Sequence, residues 1–298
     1  MSARLRIMRA GPLTTLQDKG RQGLLAHGIS ASGPMDRAAF REAGLLAGGQ
    51  GGGIEFTRAG LDLVIVDGQM NGGWGGGGFT VRVNGTESVW PGGALLSEGD
   101  ALSITPGAWG NYGYLRFGGQ FDLPGSLGSL SSNIRAELGG VDGRALIASD
   151  ELVVLDANGL PEPVQQRARE DGPIRFVRGL HWGHFSRSVQ EHFVTAQFRI
   201  STSLDRMGVR LLDDAGVFGG ESILSLVSEP VLPGDIQILG DGTPIVLMRD
   251  HQPTGGYPRI GTIISVDLDR FAQMRPGSAV AFEPASVEHA HRLLRSGA

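Results

Sequence analysis

Residues 244–266 read PIVLMRDHQPTGGYPRIGTIISV, and this stretch carries the argument for a β fold. Two short apolar runs, 244–248 and 262–266, flank a polar segment punctuated by Pro253, Gly255, Gly256 and Pro258. Runs this short suit strands better than helices, and Gly-Gly and Tyr-Pro steps mark a connection between them. The segment 249–259 therefore reads as a loop at the mouth of a barrel, where rigid strands hold functional groups in place.

Working outward, the same rhythm recurs at 61–66, 79–83, 112–117, 151–155, 174–177, 196–201, 223–227 and 236–239. The connectors are rich in glycine, which supplies 49 of 298 residues, roughly double average usage. Short strands with Gly-rich turns argue for barrels or sandwiches over βαβ units, so the chain is expected to be mainly β. Short helices are expected at 34–47, 267–274 and 286–295; the first follows Ser32, Gly33 and Pro34 and stops at Gly48-Gly49. The polar, proline-bounded stretch PEPVQQRAREDGP (161–173) marks a boundary, giving domains 1–165 and 172–298.

Composition excludes several function classes. No apolar run approaches the roughly 20 residues of a membrane span, and MSARLRIMRAGP lacks the apolar core of a signal peptide, so a cytoplasmic protein without membrane association is expected. Zero cysteines remove thiolate nucleophiles and Cys-ligated zinc. A formal charge of −5 gives no footprint for nucleic acid. Lys19 is the sole lysine among 26 cationic residues, which leaves lysine Schiff-base chemistry a single candidate.

Several segments carry candidate chemistry. Gly73–Gly78 (GWGGGG) satisfies G-x-G-x-x-G, but FTVRVNG after it alternates like a strand ending in an Asn-Gly turn, so no helix N-terminus is offered to a pyrophosphate and the run reads as a flexible connection. His181, His184, Glu191 and His192 lie close together without H-E-x-x-H spacing, and no metal site is expected. In the 249–259 loop, Asp250 can accept a proton or orient a donor, and Gln252 and Thr254 can hydrogen-bond an amide or carboxylate. Gly255 and Gly256 let backbone approach a ligand, and Tyr257 can cap the pocket. The same residues also suit a polar hairpin. After the run 196–201, Ser203 offers a hydroxyl and Arg206 a planar fork for a carboxylate or phosphate, or else they shape a structural Asp-Arg turn. Near the start, Asp18, Arg21 and Asp36 can pair with one another or face a cleft.

GPLTTLQDKGR (11–21), SGPMD (32–36), SLDRMGVRL (203–211), GDIQ (234–237), DHQPTGGYPRIGTIISVDLD (250–269) and AQMRPG (272–277) follow in order through nearly the whole chain. Together they resemble the allophanate hydrolase subunit 2 family (KipA-like), to which the C subunit of bacterial 5-oxoprolinase belongs. The resemblance implies two cyclophilin-like β-barrel subdomains with a few short helices, matching subdomains A and B of biotin-dependent carboxyltransferases. It implies a subunit 1 partner (KipI-like, with carboxyltransferase subdomains C and D) and a LamB/YcsF-type third subunit. The activity it implies is ATP-dependent hydrolysis of a small amide, 5-oxoproline to glutamate, with ATP bound together with the partner subunit. Allophanate hydrolysis and biotin-dependent urea carboxylation are the alternative reactions, biotin entering only in the latter, and a non-catalytic regulator of a kinase inhibitor is the third. In the leading reading Asp250 and His181 are catalytic, Asp250 handling the proton, and Arg206 holds the substrate carboxylate. Three positions depart from the family pattern: Leu180 stands for Pro before His181, Pro253 for Thr, and Leu130 for the arginine of a Gly-Ser-Arg-Ser-Thr block.

Overall fold

The computed structural model describes residues 2–157, 159–164, 170–219 and 226–296. The chain is mainly β and divides into two compact units, one of Met1–Gln22 with Ala31–Ala168, the other of Gly23–Ser30 with Arg169–Ala298. Residues 165–169 of the expected boundary and 223–225 of an expected strand lie outside the described residues.

The first unit has a seven-stranded and a five-stranded sheet around one core. Strand Ala3–Ala10 shows why: Ala3, Leu5 and Ile7 are buried while Arg4 and Arg6 between them face solvent, the period-two pattern of a half-covered sheet. Leu61–Asp67 repeats the pattern beside it. The middle strand of the smaller sheet, Tyr112–Phe117, is buried throughout. Helix α1, Arg37–Ala47, starts on Asp36, whose carboxylate accepts the Ala39 N–H at 2.9 Å, and stops at Gly48 with φ 74°. It packs on strand Gln69–Gly76, and here the glycine run finds its use. A Cβ on Gly73 would stand 2.3 Å from the Ala43 carbonyl of α1, so the glycines let helix and sheet backbones meet. Residues 73–76 are thus strand, all paired with Tyr112–Phe117 and the first two also with Gly92–Ser97, and not the flexible connection expected.

Buried Arg116 secures the far end of α1. Its guanidinium donates to the carbonyls of Phe40 (3.1 Å), Gly49 (3.1 Å) and Gly51, and lies over the Phe40 ring. Burial lowers its pKa to about 10.

The second unit is a closed seven-stranded barrel in the order Ile174–Arg178, Arg259–Ile263, Asp235–Ile238, Pro244–Leu247, Gly208–Leu212, Gln197–Leu204, Ala279–Pro284. A parallel pairing of the first and last strands closes it. Phe176, Phe193, Phe198 and Phe282 fill the interior, with Phe193 stacked on Phe282 at 5.0 Å. Phe193 comes from α2, Arg187–Thr195, a helix the histidine-rich sequence concealed; Ser186 caps it. Two more helices follow: α3, Ser265–Ala272, begins where the strand expected at 262–266 was to end, and α4 spans Val287–Ser296. No helix among the described residues is long and apolar enough to cross a membrane.

Candidate functional site

Strands Pro244–Leu247 and Arg259–Ile263 both run antiparallel to Asp235–Ile238, which lies between them. They therefore point the same way, and their connection must travel from one barrel end to the other. Residues 248–258 make that crossing, so the segment is neither a hairpin nor a loop confined to one mouth. Part-way along, Thr254–Gly255 pairs with Glu229–Pro230 in a two-stranded sheet, and the Val231 N–H donates to the Pro253 carbonyl at 3.1 Å.

The crossing begins with two buried ion pairs. Arg206, in the turn between Gln197–Leu204 and Gly208–Leu212, presents Nε and Nη2 to the two Asp250 oxygens at 2.7 and 3.1 Å. Their side chains are 4% and 7% exposed, and the Asp250 N–H donates to the Arg206 carbonyl at 2.7 Å. Arg249 reaches Asp269 of α3 at 2.8 Å. The edge of Arg206 best shaped for a substrate carboxylate is thus filled by Asp250, and the two residues proposed for separate roles hold each other.

The crossing ends beside His181. The ring Nδ1 of His181 accepts the Arg259 backbone N–H at 3.1 Å. A backbone N–H cannot accept, so Nδ1 is bare and the neutral ring carries its proton on Nε2. Burial pushes the His181 pKa down, the charges of Arg259 and His184 add to that, and Glu229 and Asp235 oppose it. Nε2 faces Glu229 Oε2 at 3.5 Å. Glu229 in turn accepts from Arg259 Nη2 at 2.6 Å, and Arg259 Nη1 donates to Pro230 O at 3.1 Å and to Asp235 Oδ2 at 3.3 Å. Thr262 and the Leu232 N–H complete the partners of Asp235, at 2.6 and 2.9 Å. His181 and Asp250 therefore belong to different networks, near the start of strand Arg259–Ile263 and beyond the end of Pro244–Leu247.

His251, directly after Asp250, is buried; its Nδ1–H donates to the Gln252 carbonyl at 2.6 Å, and burial lowers its pKa. Gln252 Nε2 donates to Gln237 Oε1 at 3.4 Å, while buried Gln237 Nε2 has no hydrogen-bond partner among the described residues. A Cβ on Gly255 would come within 2.4 Å of that nitrogen, which explains the glycine. Thr254 and Tyr257 are exposed and Gly256 half-buried; the Gly256 carbonyl accepts the Leu226 N–H at 2.7 Å. Ser203 is exposed near the end of strand Gln197–Leu204, its N–H on Ser201 Oγ at 3.0 Å.

The N-terminal trio belongs to the first unit and each member has its own partners. The Asp18 carboxylate accepts from Ser129 Oγ, Ser131 Oγ, Leu130 N and Gly20 N. Burial pushes its pKa up, and these bonds outweigh that and hold it low. Arg21 donates to the Ser131 carbonyl and to Ser32 Oγ, so it grips the same 129–132 loop. Asp36 caps α1, and its N–H donates to Tyr114 Oη, which donates to buried Glu55 at 2.9 Å. Among the described residues no group of three or more His, Asp or Glu is placed to hold a metal ion.

Glu229, Arg259 and Asp235 were missed as site residues from sequence. The signal was faint: Asp235 lies inside GDIQ and Arg259 follows the Tyr-Pro step, while Glu229 lies outside every one of these motifs.

A family model described as "Carboxyltransferase domain, subdomain A and B" matches residues 27–284. The C subunit of 5-oxoprolinase from Escherichia coli (strain K12) is 33% identical over 96% of this chain and 93% of that protein. Among solved structures, TTHA0988 superposes with a TM-score of 0.84 at 26% identity over 94% of this chain, which spans 55% of the TTHA0988 chain. The K. lactis urea amidolyase superposes with a TM-score of 0.88 at 26% identity over 98% of this chain, which spans 19% of that one. With the family model matched across most of its length and both β units in place, the chain belongs to the carboxyltransferase domain family, subdomains A and B.

Proposed function

We propose that this chain is one subunit of a heteromeric, ATP-dependent amide hydrolase, acting on 5-oxoproline to give glutamate. The carrying observation is the two-way match with the C subunit of E. coli 5-oxoprolinase, which leaves little of either chain over. The remainder of TTHA0988 beyond the matched part supports a partner of comparable size, the subunit 1 homologue, with a LamB/YcsF-type protein as third member. ATP is assigned to the assembly: the chain has no G-x-x-x-x-G-K-[ST], and its glycine run is committed to sheet pairing.

An unstrained amide resists water. Transfer of the γ-phosphoryl group to the amide oxygen, with ADP leaving, creates an activated carbon; water adds there and the C–N bond breaks as the ring nitrogen takes a proton, leaving an acyl phosphate that a second water cleaves to the carboxylate and phosphate. In this reading the Arg206–Asp250 pair fixes the start of the crossing segment, and His181 and Glu229 at its other end face the reacting amide. His181 is a hydrogen-bond donor there, since its bare nitrogen is occupied by the Arg259 N–H.

Co-expression with the subunit 1 and third-subunit homologues, followed by assay of glutamate and ADP from 5-oxoproline, tests the proposal. Equimolar glutamate and ADP are expected, with His181→Ala lowering turnover by about two orders of magnitude. The likeness to urea amidolyase favours one second reading, biotin-dependent carboxylation of urea. Urea-dependent consumption of carboxybiotin by the same assembly, without glutamate formation, would establish that reading and sink the first.

A further inference from the structure

The His181–Glu229 pair has a property that goes beyond its position. One ring nitrogen is tied to the Arg259 backbone, which fixes the other as an N–H donor. An acceptor, Glu229 Oε2, stands 3.5 Å from it, anchored from behind by Arg259 at 2.6 Å. The Glu229 side chain is 40% exposed, so the acceptor can be reached from solvent. At 3.5 Å donor and acceptor are at the limit of a bond with each other, and a ligand able to engage both gains two bonds for one poor one.

A cis amide has the complementary edge. In a lactam or a ureido group the carbonyl oxygen and the N–H lie on the same side, with oxygen and nitrogen about 2.2 Å apart by standard bond lengths. Two bonds of ordinary length to groups 3.5 Å apart then lean inward by roughly 13° each, well inside the tolerance of a good hydrogen bond. A trans amide, as in a peptide, turns its N–H to the opposite side and satisfies only one partner.

We propose that His181 Nε2–H and the Glu229 carboxylate form a recognition edge for cis amides, the lactam or ureido class, with Arg259 as the positioning residue for both. This rests on the reading of the chain as an amide-acting subunit and narrows it to the substrate's amide geometry. It also gives Arg259 two functions from one residue: its backbone sets the His181 tautomer and its side chain aims Glu229.

The test needs neither ATP nor turnover, so it stands apart from the assay of hydrolysis. Full-length protein carrying 15N-labelled histidine is titrated with 2-pyrrolidinone, a bare lactam, and with N-methyl-2-pyrrolidinone, which keeps the carbonyl and lacks the N–H. The expected result is a saturable shift of the His181 Nε2–H resonance with the first, and binding on the order of ten-fold weaker with the second. Glu229→Leu, at a partly exposed side chain and with its fold checked by circular dichroism, is expected to bring 2-pyrrolidinone to the weaker value. Equal titration by both compounds, an unchanged affinity in Glu229→Leu, no response to 2-pyrrolidinone, or a proton found on Nδ1 would each overturn the proposal.

Discussion

Arg206 and Asp250 are each other's counter-ion in a place almost closed to water. Removing charge from solvent is expensive, and the pair tolerates it because two parallel N–H to O bonds share the load. Asp250→Ala strands a buried guanidinium, so unfolding free energy should fall by about 3–5 kcal/mol, whereas replacing both partners with leucine should cost much less than twice that. Urea unfolding of the two variants checks this, and additive losses would contradict it. The same pair shows what sequence could not supply: the two residues stand 44 positions apart, and their separate chemistries were legible while their pairing was not. His181 stood out in the sequence as a candidate, but the acceptor role of its Nδ1 depends on the Arg259 N–H, 78 positions away. Long-range pairs of this kind leave no trace in local spacing.

Strands announce themselves by alternation when one face is wet, and Leu61–Asp67 and Phe79–Val83 were readable for that reason. Gln69–Gly76 was hidden because its packing uses the lack of side chains, and α2 because only Val189 and Phe193 of its residues reach the core. The crossing 248–258 was read as a loop at 249–259 followed by a strand at 262–266, three residues later than the strand observed at Arg259–Ile263, and its course from end to end follows from strand order around the barrel, which local pattern does not encode. Glycine as a packing device is testable. Gly73→Ala places a methyl 2.3 Å from the Ala43 carbonyl and 2.4 Å from the Ala47 nitrogen, both helix backbone that no rotamer can move. A loss of about 1–3 kcal/mol is expected in denaturant melts, the range for overpacking. Gly85→Ala has open space around it but φ 80°, so it should show only the smaller cost of a left-handed backbone, about 1 kcal/mol. Equal losses at the two positions would mean that contact with α1 is not what selects Gly73.

At the scale of the whole molecule, the two units differ in how acid reaches them. All seven histidines, from His27 to His291, belong to the second unit, since Gly23–Ser30 groups with it. His181 and His251 both have pKa values lowered mainly by burial, which means the folded barrel disfavours their protonation. The unfolded chain binds those protons at the ordinary value of about 6.5, so stability is unaffected above that pH and falls as pH drops through it towards the folded values. The first unit has the opposite linkage at a lower window. Asp18 and Asp62 are burdened by burial but held low by hydrogen bonds, and Asp150 is held low chiefly by Arg144. Their contribution is present above the ordinary carboxylate range near 4 and is lost only as pH falls through their depressed values. Between pH 7 and about pH 5.5 the second unit should therefore loosen while the first does not. Hydrogen exchange followed by mass spectrometry, corrected for intrinsic rates, should show faster exchange in Ile174–Arg178 and Arg259–Ile263 and none in Ala3–Ala10 and Leu61–Asp67. His181→Gln, which cannot take up the proton, should remove part of the effect in Arg259–Ile263. Loosening of both units together would show that histidine protonation is not what governs the response, because the first unit has no histidine to protonate.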